Sequence, residues 1–175
     1  PIDGTANFLH GIPHFAISIG LEHNKEIICG IIYDPIKDEM FTAEKGNGSY
    51  LNNQRMRVSS RSKLKDCLIV TGGPRRNHKE RDLALKEYDK FSSSVDVPLR
   101  KMGSASLDMA YVAAGRFDGM WQRNLNYWDI AAGIILIKEA GGFVTDFNGN
   151  DAYVEKKTIL ATNSRINKEM IEVLK

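Results

Sequence analysis

Apolar and polar positions alternate in two different ways along this chain. Phe15 to Leu21 mixes apolar and small residues and reads as a strand. A polar turn follows at Glu22 to Glu26, and Ile27 to Tyr33, rich in β-branched residues, reads as a buried strand. Asp34-Pro35 opens another turn. Glu39 to Ala43 gives a third strand, Gly46-Asn47-Gly48 a turn, and Ser49 to Leu51 a fourth strand before Asn52-Asn53. Short strands in close succession predict an antiparallel sheet. His23, in a polar turn, is expected at the surface.

Ser59 to Lys65 is polar and reads as a connection. From Asp66 onward strands alternate with helices. Leu68 to Thr71 is a strand. Arg81 to Phe91 is a helix with apolar residues at Leu83, Leu85, Tyr88 and Phe91, and Val97 to Met102 is a short strand. Leu107 to Ala114 is a helix that either Ser104 or Ser106 can cap. Gly115 to Gln122 is a turn and strand. Trp128 to Ala140 is a helix, ended by Gly141-Gly142 and apolar all round at its centre, so it should be buried on most sides. Phe143 to Asp146, Thr158 to Ala161 and a helix over Ile166 to Leu174 complete the series.

Composition adds little to this picture. The 175 residues are 42% hydrophobic and 26% charged, enough for one sizeable core. A net charge of +2 favours neither a nucleic acid nor a membrane surface. The longest apolar run, Ile130 to Ile137, is too short to span a bilayer. Cys29 and Cys67 lie in apolar segments and read as buried free thiols of a reducing, cytoplasmic setting. Pro74 to Lys79 is a basic loop, able to meet a phosphate or an acidic partner, or to be simply solvated.

The opening residues change the picture more. Asp3 is a carboxylate, Gly4-Thr5 a tight turn, and Ala6 to Phe8 can open a short helix. A glycine before a helix start makes an anion cradle, because the first N–H groups have no partner within the helix. A carboxylate beside that cradle would repel a phosphate unless a cation lay between them. The residues leave two readings open: a metal-bridged phosphate site, or an Asp-Gly turn capped by Thr5. Asp129 is similarly double. In the first turn of an apolar helix it complements the helix dipole, and it is also a candidate ligand.

The longer string Pro1-Ile2-Asp3-Gly4-Thr5-Ala6-Asn7-Phe8-Leu9-His10-Gly11-Ile12-Pro13 resembles the first signature of the inositol monophosphatase family of magnesium-dependent phosphatases, D-P-I-D-G-T-x-N-F-x-H-G-x-P, apart from its leading Asp. The second signature, W-D-x-A-A-G-x-x-L-x-x-E-A-G-G, is similar to Trp128-Asp129-Ile130-Ala131-Ala132-Gly133 with Leu136 and Glu139-Ala140-Gly141-Gly142. The resemblance implies an α+β fold, a layered α/β sandwich of the sugar-phosphatase (inositol monophosphatase/fructose-1,6-bisphosphatase) type with its amino-terminal part missing. On that reading residues 1–61 are the remainder of an amino-terminal lobe and 62–175 a carboxy-terminal α/β lobe, together one catalytic unit.

The same resemblance implies Mg2+ as cofactor: Asp3 and Asp129 share one ion, the backbone carbonyl of Ile2 holds another, and Asp129 also faces the substrate. Two such ions can polarise a phosphate ester, generate a hydroxide nucleophile and stabilise the leaving alkoxide. Gly4 and Thr5 would hold the phosphate, and the Thr5 hydroxyl would orient the attacking water. Gly103, Ser104 and Ala105 match a segment whose backbone approaches inositol hydroxyls; on the residues alone they are equally a strand-to-helix turn with a serine cap. Gln122 stands where many relatives place a Glu that binds the ring, and an amide lacks the charge-assisted bond of a carboxylate.

The implied reaction is hydrolysis of a phosphate monoester, most directly inositol 1-phosphate. A fructose-1,6-bisphosphatase-like enzyme and a nucleotide 3′-phosphatase are the alternatives within the class. A binding role with the transcription machinery is the alternative outside it. The resemblance also implies a homodimer, no membrane partner, and a carboxy-terminal two-thirds that is inactive alone because its ligand set is incomplete.

Overall fold

The computed structural model describes residues 2–73 and 80–175. The basic loop Pro74 to Lys79 lies outside the described residues, as does Pro1. In chain order the elements are β1 (Ile2–Asp3), α1 (Thr5–Leu9), β2 (Ala16–His23), β3 (Glu26–Asp34), β4 (Glu39–Glu44), β5 (Gly48–Leu51) and β6 (Gln54–Arg55). They continue with β7 (Ile69–Thr71), α2 (Arg81–Ser94), β8 (Leu99–Arg100), α3 (Ala105–Ala113), β9 (Gly119–Arg123) and α4 (Tyr127–Glu139). The last are β10 (Phe143–Thr145), α5 (Tyr153–Lys156), β11 (Thr158–Thr162) and α6 (Asn167–Leu174).

The first six strands form an antiparallel sheet in sequence order, β1-β2-β3-β4-β5-β6. The other five form a mixed sheet ordered β10-β11-β9-β7-β8, in which β7 runs parallel to both β8 and β9. Helices α3 and α4 lie between the sheets, and α2 and α6 cover the far side of the mixed one. Side-chain alternation records these layers, since successive strand residues face opposite ways. Val70, Met120, Ile159 and Ala161 join Leu107, Met109 and Leu136 in the inner core. Ile69, Trp121 and Leu160 join Phe91 of α2 and Met170 of α6 in the outer one. Layers of this kind make the chain an α+β fold.

Helix α4 is buried from Ile130 to Ile137, as its all-round apolar sequence predicts. It lies directly on the first sheet because Gly20 and Gly30 leave room for it. A methyl group at Gly30 would stand 2.6 Å from Ile135 Cγ2 and 2.8 Å from the Ala132 carbonyl oxygen. Gly142 N–H donates to the Ile137 carbonyl at 2.9 Å and closes the helix end. The polar connection after the first sheet is held at Asp118, which is fully buried. Asp118 accepts hydrogen bonds from the Ser59 hydroxyl, from Arg61 Nη1 at 3.1 Å and from Leu68 N–H at 2.8 Å.

Several expected elements differ in extent. The turn after β2 shrinks to Asn24-Lys25, both at positive φ (52° and 63°), so Glu22, His23 and Glu26 are strand residues. The strand expected over Val97 to Met102 is reduced to Leu99–Arg100, preceded by Pro98, which has no N–H to give a ladder. Helix α2 continues to Ser94, but of its predicted apolar face only Phe91 is buried, stacked on Trp121 at 4.4 Å; Leu83, Leu85 and Tyr88 are exposed. Strands β1 and β6 and the one-turn helix α5 have too few residues for a periodic signal. Cys67 is buried as expected, whereas Cys29 is half-buried; both thiols are free. No helix among the described residues is long and apolar enough to cross a membrane.

Candidate functional site

A cavity of about 440 Å³ opens where β1 and α1 of the first half meet the starts of α3 and α4 and the end of β9. Every sequence-predicted site residue lines it: Ile2, Asp3, Gly4, Thr5, Gly103, Ser104, Ala105, Gln122 and Asp129. So do Ser18, Asp108, Asn126 and the exposed ring of Trp128, which the sequence reading did not single out.

Asp3 is placed by pairing. Strand β1 is only Ile2–Asp3, and Asp3 stands opposite Ala16 of β2. Gly4 then turns the chain at φ 85°, the left-handed region that glycine adopts without strain. A Cβ at Gly4 would also meet the His14 carbonyl oxygen at 3.0 Å. Helix α1 begins at Thr5, and the Phe8 N–H donates to the Gly4 carbonyl at 3.0 Å. The Asn7 amide ties this corner to the other half, donating to the His14 carbonyl at 2.8 Å and to the Met102 carbonyl at 2.9 Å.

The start of α3 supplies the other wall. Ser104 is its N-cap, accepting from Leu107 N–H at 3.4 Å, which settles the choice between the two serines. The same hydroxyl donates to Asp3 Oδ2 at 2.7 Å. Ser106 donates to that oxygen twice, from its hydroxyl at 2.7 Å and its backbone N–H at 2.8 Å. Asp129 is fixed by its own helix: its carboxylate accepts from the Asn126 N–H at 2.9 Å, an N-terminal capping contact. Both readings of Asp129 are thus physically compatible, because a capping carboxylate can face a cavity.

Asp108 is the notable omission from the sequence reading. It is 1% exposed, and its Oδ1 has no hydrogen-bond partner. Burial first, and then the charge of Asp3, holds its carboxyl well above the ordinary carboxylate range. A signal was available: an acid one turn into a helix otherwise made of small and apolar residues. Gln122 Oε1 and Ser18 Oγ are two further buried oxygens without a partner on the same cavity. The wall therefore offers unpaired oxygens of both kinds: Gln122 Oε1 accepts, while the Ser18 hydroxyl and a protonated Asp108 can also donate.

The lining suits a hard divalent cation: it holds the carboxyl groups of Asp3, Asp108 and Asp129, with no thiol or imidazole. Magnesium is commonly held by one or two carboxylates while keeping several waters. Among the described residues no group of three or more His, Cys, Asp and Glu side chains is placed to hold a metal.

This chain belongs to the inositol monophosphatase family, whose model matches residues 1–174. The inositol-1-monophosphatase of Rhizobium meliloti (strain 1021) is 49% identical over 174 residues, covering 99% of this chain and 65% of that protein. The Nus factor SuhB of Pseudomonas aeruginosa is 43% identical over 176 residues, again 99% and 65%. The crystal structure of the extragenic suppressor protein suhB from Bartonella henselae superposes with a TM-score of 0.95 at 50% identity, over 100% of this chain and 67% of that one. The chain thus spans about 65% of the length of the curated relatives it matches first.

Proposed function

We propose that this cavity is the phosphate-monoester site of a Mg2+-dependent hydrolase, that this chain's residues bind the ester there, and that inositol 1-phosphate is the leading substrate. The observation that carries this is the shared cavity: Asp3 from the first sheet and Asp129 from the start of α4 line it together with the Gly4-Thr5 turn. Asp3 and Asp129 would hold one cation, and the Ile2 carbonyl a second. When bound, they would supply charge neutralisation and polarise the phosphoryl oxygen. The N–H groups of Gly4 and Thr5 receive the phosphate at a helix start. The Thr5 hydroxyl, on an exposed residue, orients the attacking water. Gln122 and the backbone of Gly103 and Ala105 face the alcohol portion, with Gln122 Oε1 available as an acceptor for a ring hydroxyl.

A chain with two side-chain ligands holds a cation weakly, so binding is the primary test and turnover the second. Inositol 1-phosphate, fructose 1,6-bisphosphate and a nucleoside 3′-phosphate are titrated calorimetrically with and without Mg2+, and phosphate release is measured alongside. We expect Mg2+-dependent binding of inositol phosphate that falls at least about 10-fold in Asp3→Asn and in Asp129→Asn, with no turnover by the chain alone. Binding and release confined to the nucleotide would replace the substrate. Binding indifferent to Mg2+ and to both variants would overturn the reading.

A second role has one observation behind it: the similar Pseudomonas aeruginosa protein is named a Nus factor. Capture of RNA polymerase by this chain, unchanged in Asp129→Asn, would support a function in transcription separate from catalysis.

A further inference from the structure

The three hydrogen bonds on one oxygen of Asp3 have a consequence for which cation the site accepts. Oδ2 receives the Ser104 hydroxyl, the Ser106 hydroxyl and the Ser106 N–H, all within 2.7–2.8 Å. A carboxylate offers about four lone-pair sites over its two oxygens, so three donors occupy all that one oxygen has to give. None of the three reaches Oδ1. Ser104 is 1% exposed and Ser106 0%, so water does not compete for these hydroxyls. The donors sit on the first turn of α3, where a backbone N–H has no helical partner and is free to serve another acceptor. They are also rigid, because Ser104 is simultaneously the helix cap.

We propose that Ser104 and Ser106 are positioning residues that restrict Asp3 to ligation through a single oxygen and thereby select a small octahedral cation over Ca2+. The inference rests on the reading that Asp3 holds a divalent ion. Ca2+ takes six to eight oxygens and gains from carboxylates that grip with both; Mg2+ requires near-ideal octahedral geometry, which single-oxygen contacts and water provide. With Oδ2 occupied by donors, the two-oxygen grip is closed to any ion. The serines also fix the rotamer of Asp3, so the remaining oxygen is aimed before the ion arrives.

The test is the ratio of two dissociation constants, since a merely structural role would weaken both ions alike. Mg2+ and Ca2+ are each titrated calorimetrically into the wild-type chain, Ser106→Ala, and the double variant Ser104→Ala/Ser106→Ala, with folding checked by circular dichroism. Mg2+ binding is expected to weaken about 10-fold in the double variant, while Ca2+ binding holds or tightens, so that the Mg2+ preference falls by that factor or more. Ser106→Ala, the milder change, shows the same direction to a smaller degree, and Ser106→Thr, which keeps the hydroxyl, restores the wild-type ratio. Ions bound with a ratio that neither serine alters would overturn this inference and leave the metal reading standing. Failure of the wild-type chain to bind either ion in an Asp3-dependent way would overturn both.

Discussion

The two sheets solve the same problem with connections of different length. In the first, every strand pairs with its neighbour in sequence, and all five pairings are antiparallel. In the second, Ile69 must find both Leu99 and Gly119, in parallel, with helices intervening. Hairpins close short loops, whereas parallel pairs need a crossover and come together only after long segments are ordered. The first sheet is thus locally specified, and the second depends on the helices that pack against it. The cavity lies where the edge of the local sheet meets the helices of the other half.

Glycines at the helix contacts offer the sharpest way to probe this difference. Gly30→Ala drives a methyl group into the Ala132 carbonyl and Ile135, and backbone cannot step aside. We expect a loss of about 3 kcal/mol, read from urea denaturation. Gly119→Ala in the second sheet meets the Met170 sulfur at 2.7 Å, the flexible end of a long side chain, and should cost about 1 kcal/mol. Equal losses would show that α4 is as free to move from its sheet as Met170 is to turn.

Asp108 lies between the two sheets and reports on both. Its folded carboxyl titrates well above the ordinary range, so the folded chain keeps a proton that the unfolded chain has released. That contribution is full below the ordinary Asp range and is lost as pH rises through the raised value. Asp108→Asn has nothing to ionise there. Its melting temperature should gain on wild type by roughly 3 °C, or about 1 kcal/mol, between pH 4 and pH 8 in metal-free buffer. A difference that stays constant with pH would mean that the buried acid does not titrate in this way.

The smallest effect needs no mutation, because β3 carries one thiol and the segment leading into β7 carries the other. Cys67, beneath the second sheet, is pushed up to about 12, chiefly by burial. Cys29, in β3, is half-buried. A disulfide reagent at pH 8 should therefore modify Cys29 alone in the folded protein and reach Cys67 only in denaturant. Modification of both at similar rates would place the weaker packing in the second sheet.

What the amino-acid pattern disclosed follows the same division. The hairpin strands from Ala16 to Leu51 were legible because alternation and turn residues are local signals. Helix α4 was legible because an apolar run bounded by Asp129 and Gly141 has one sensible reading. Strand β1 was not, since two residues carry no period and its identity comes entirely from pairing with β2. Nor was the shared use of Asp3 by Ser104 and Ser106, a contact across more than a hundred residues. For Asp108 the one signal was its place among small and apolar helix residues; that it is buried is a tertiary fact.

The amide of Asn7 touches two carbonyl oxygens, one at His14 and the other at Met102. Through that single side chain the floor of the opening turn and the doorway of α3 become one rigid corner. Shorten it, and the pairing of β1 with β2 and the serine contacts on Asp3 must hold the two walls together without that tie. A side chain outside the cavity's lining thus helps set how far apart its walls stand.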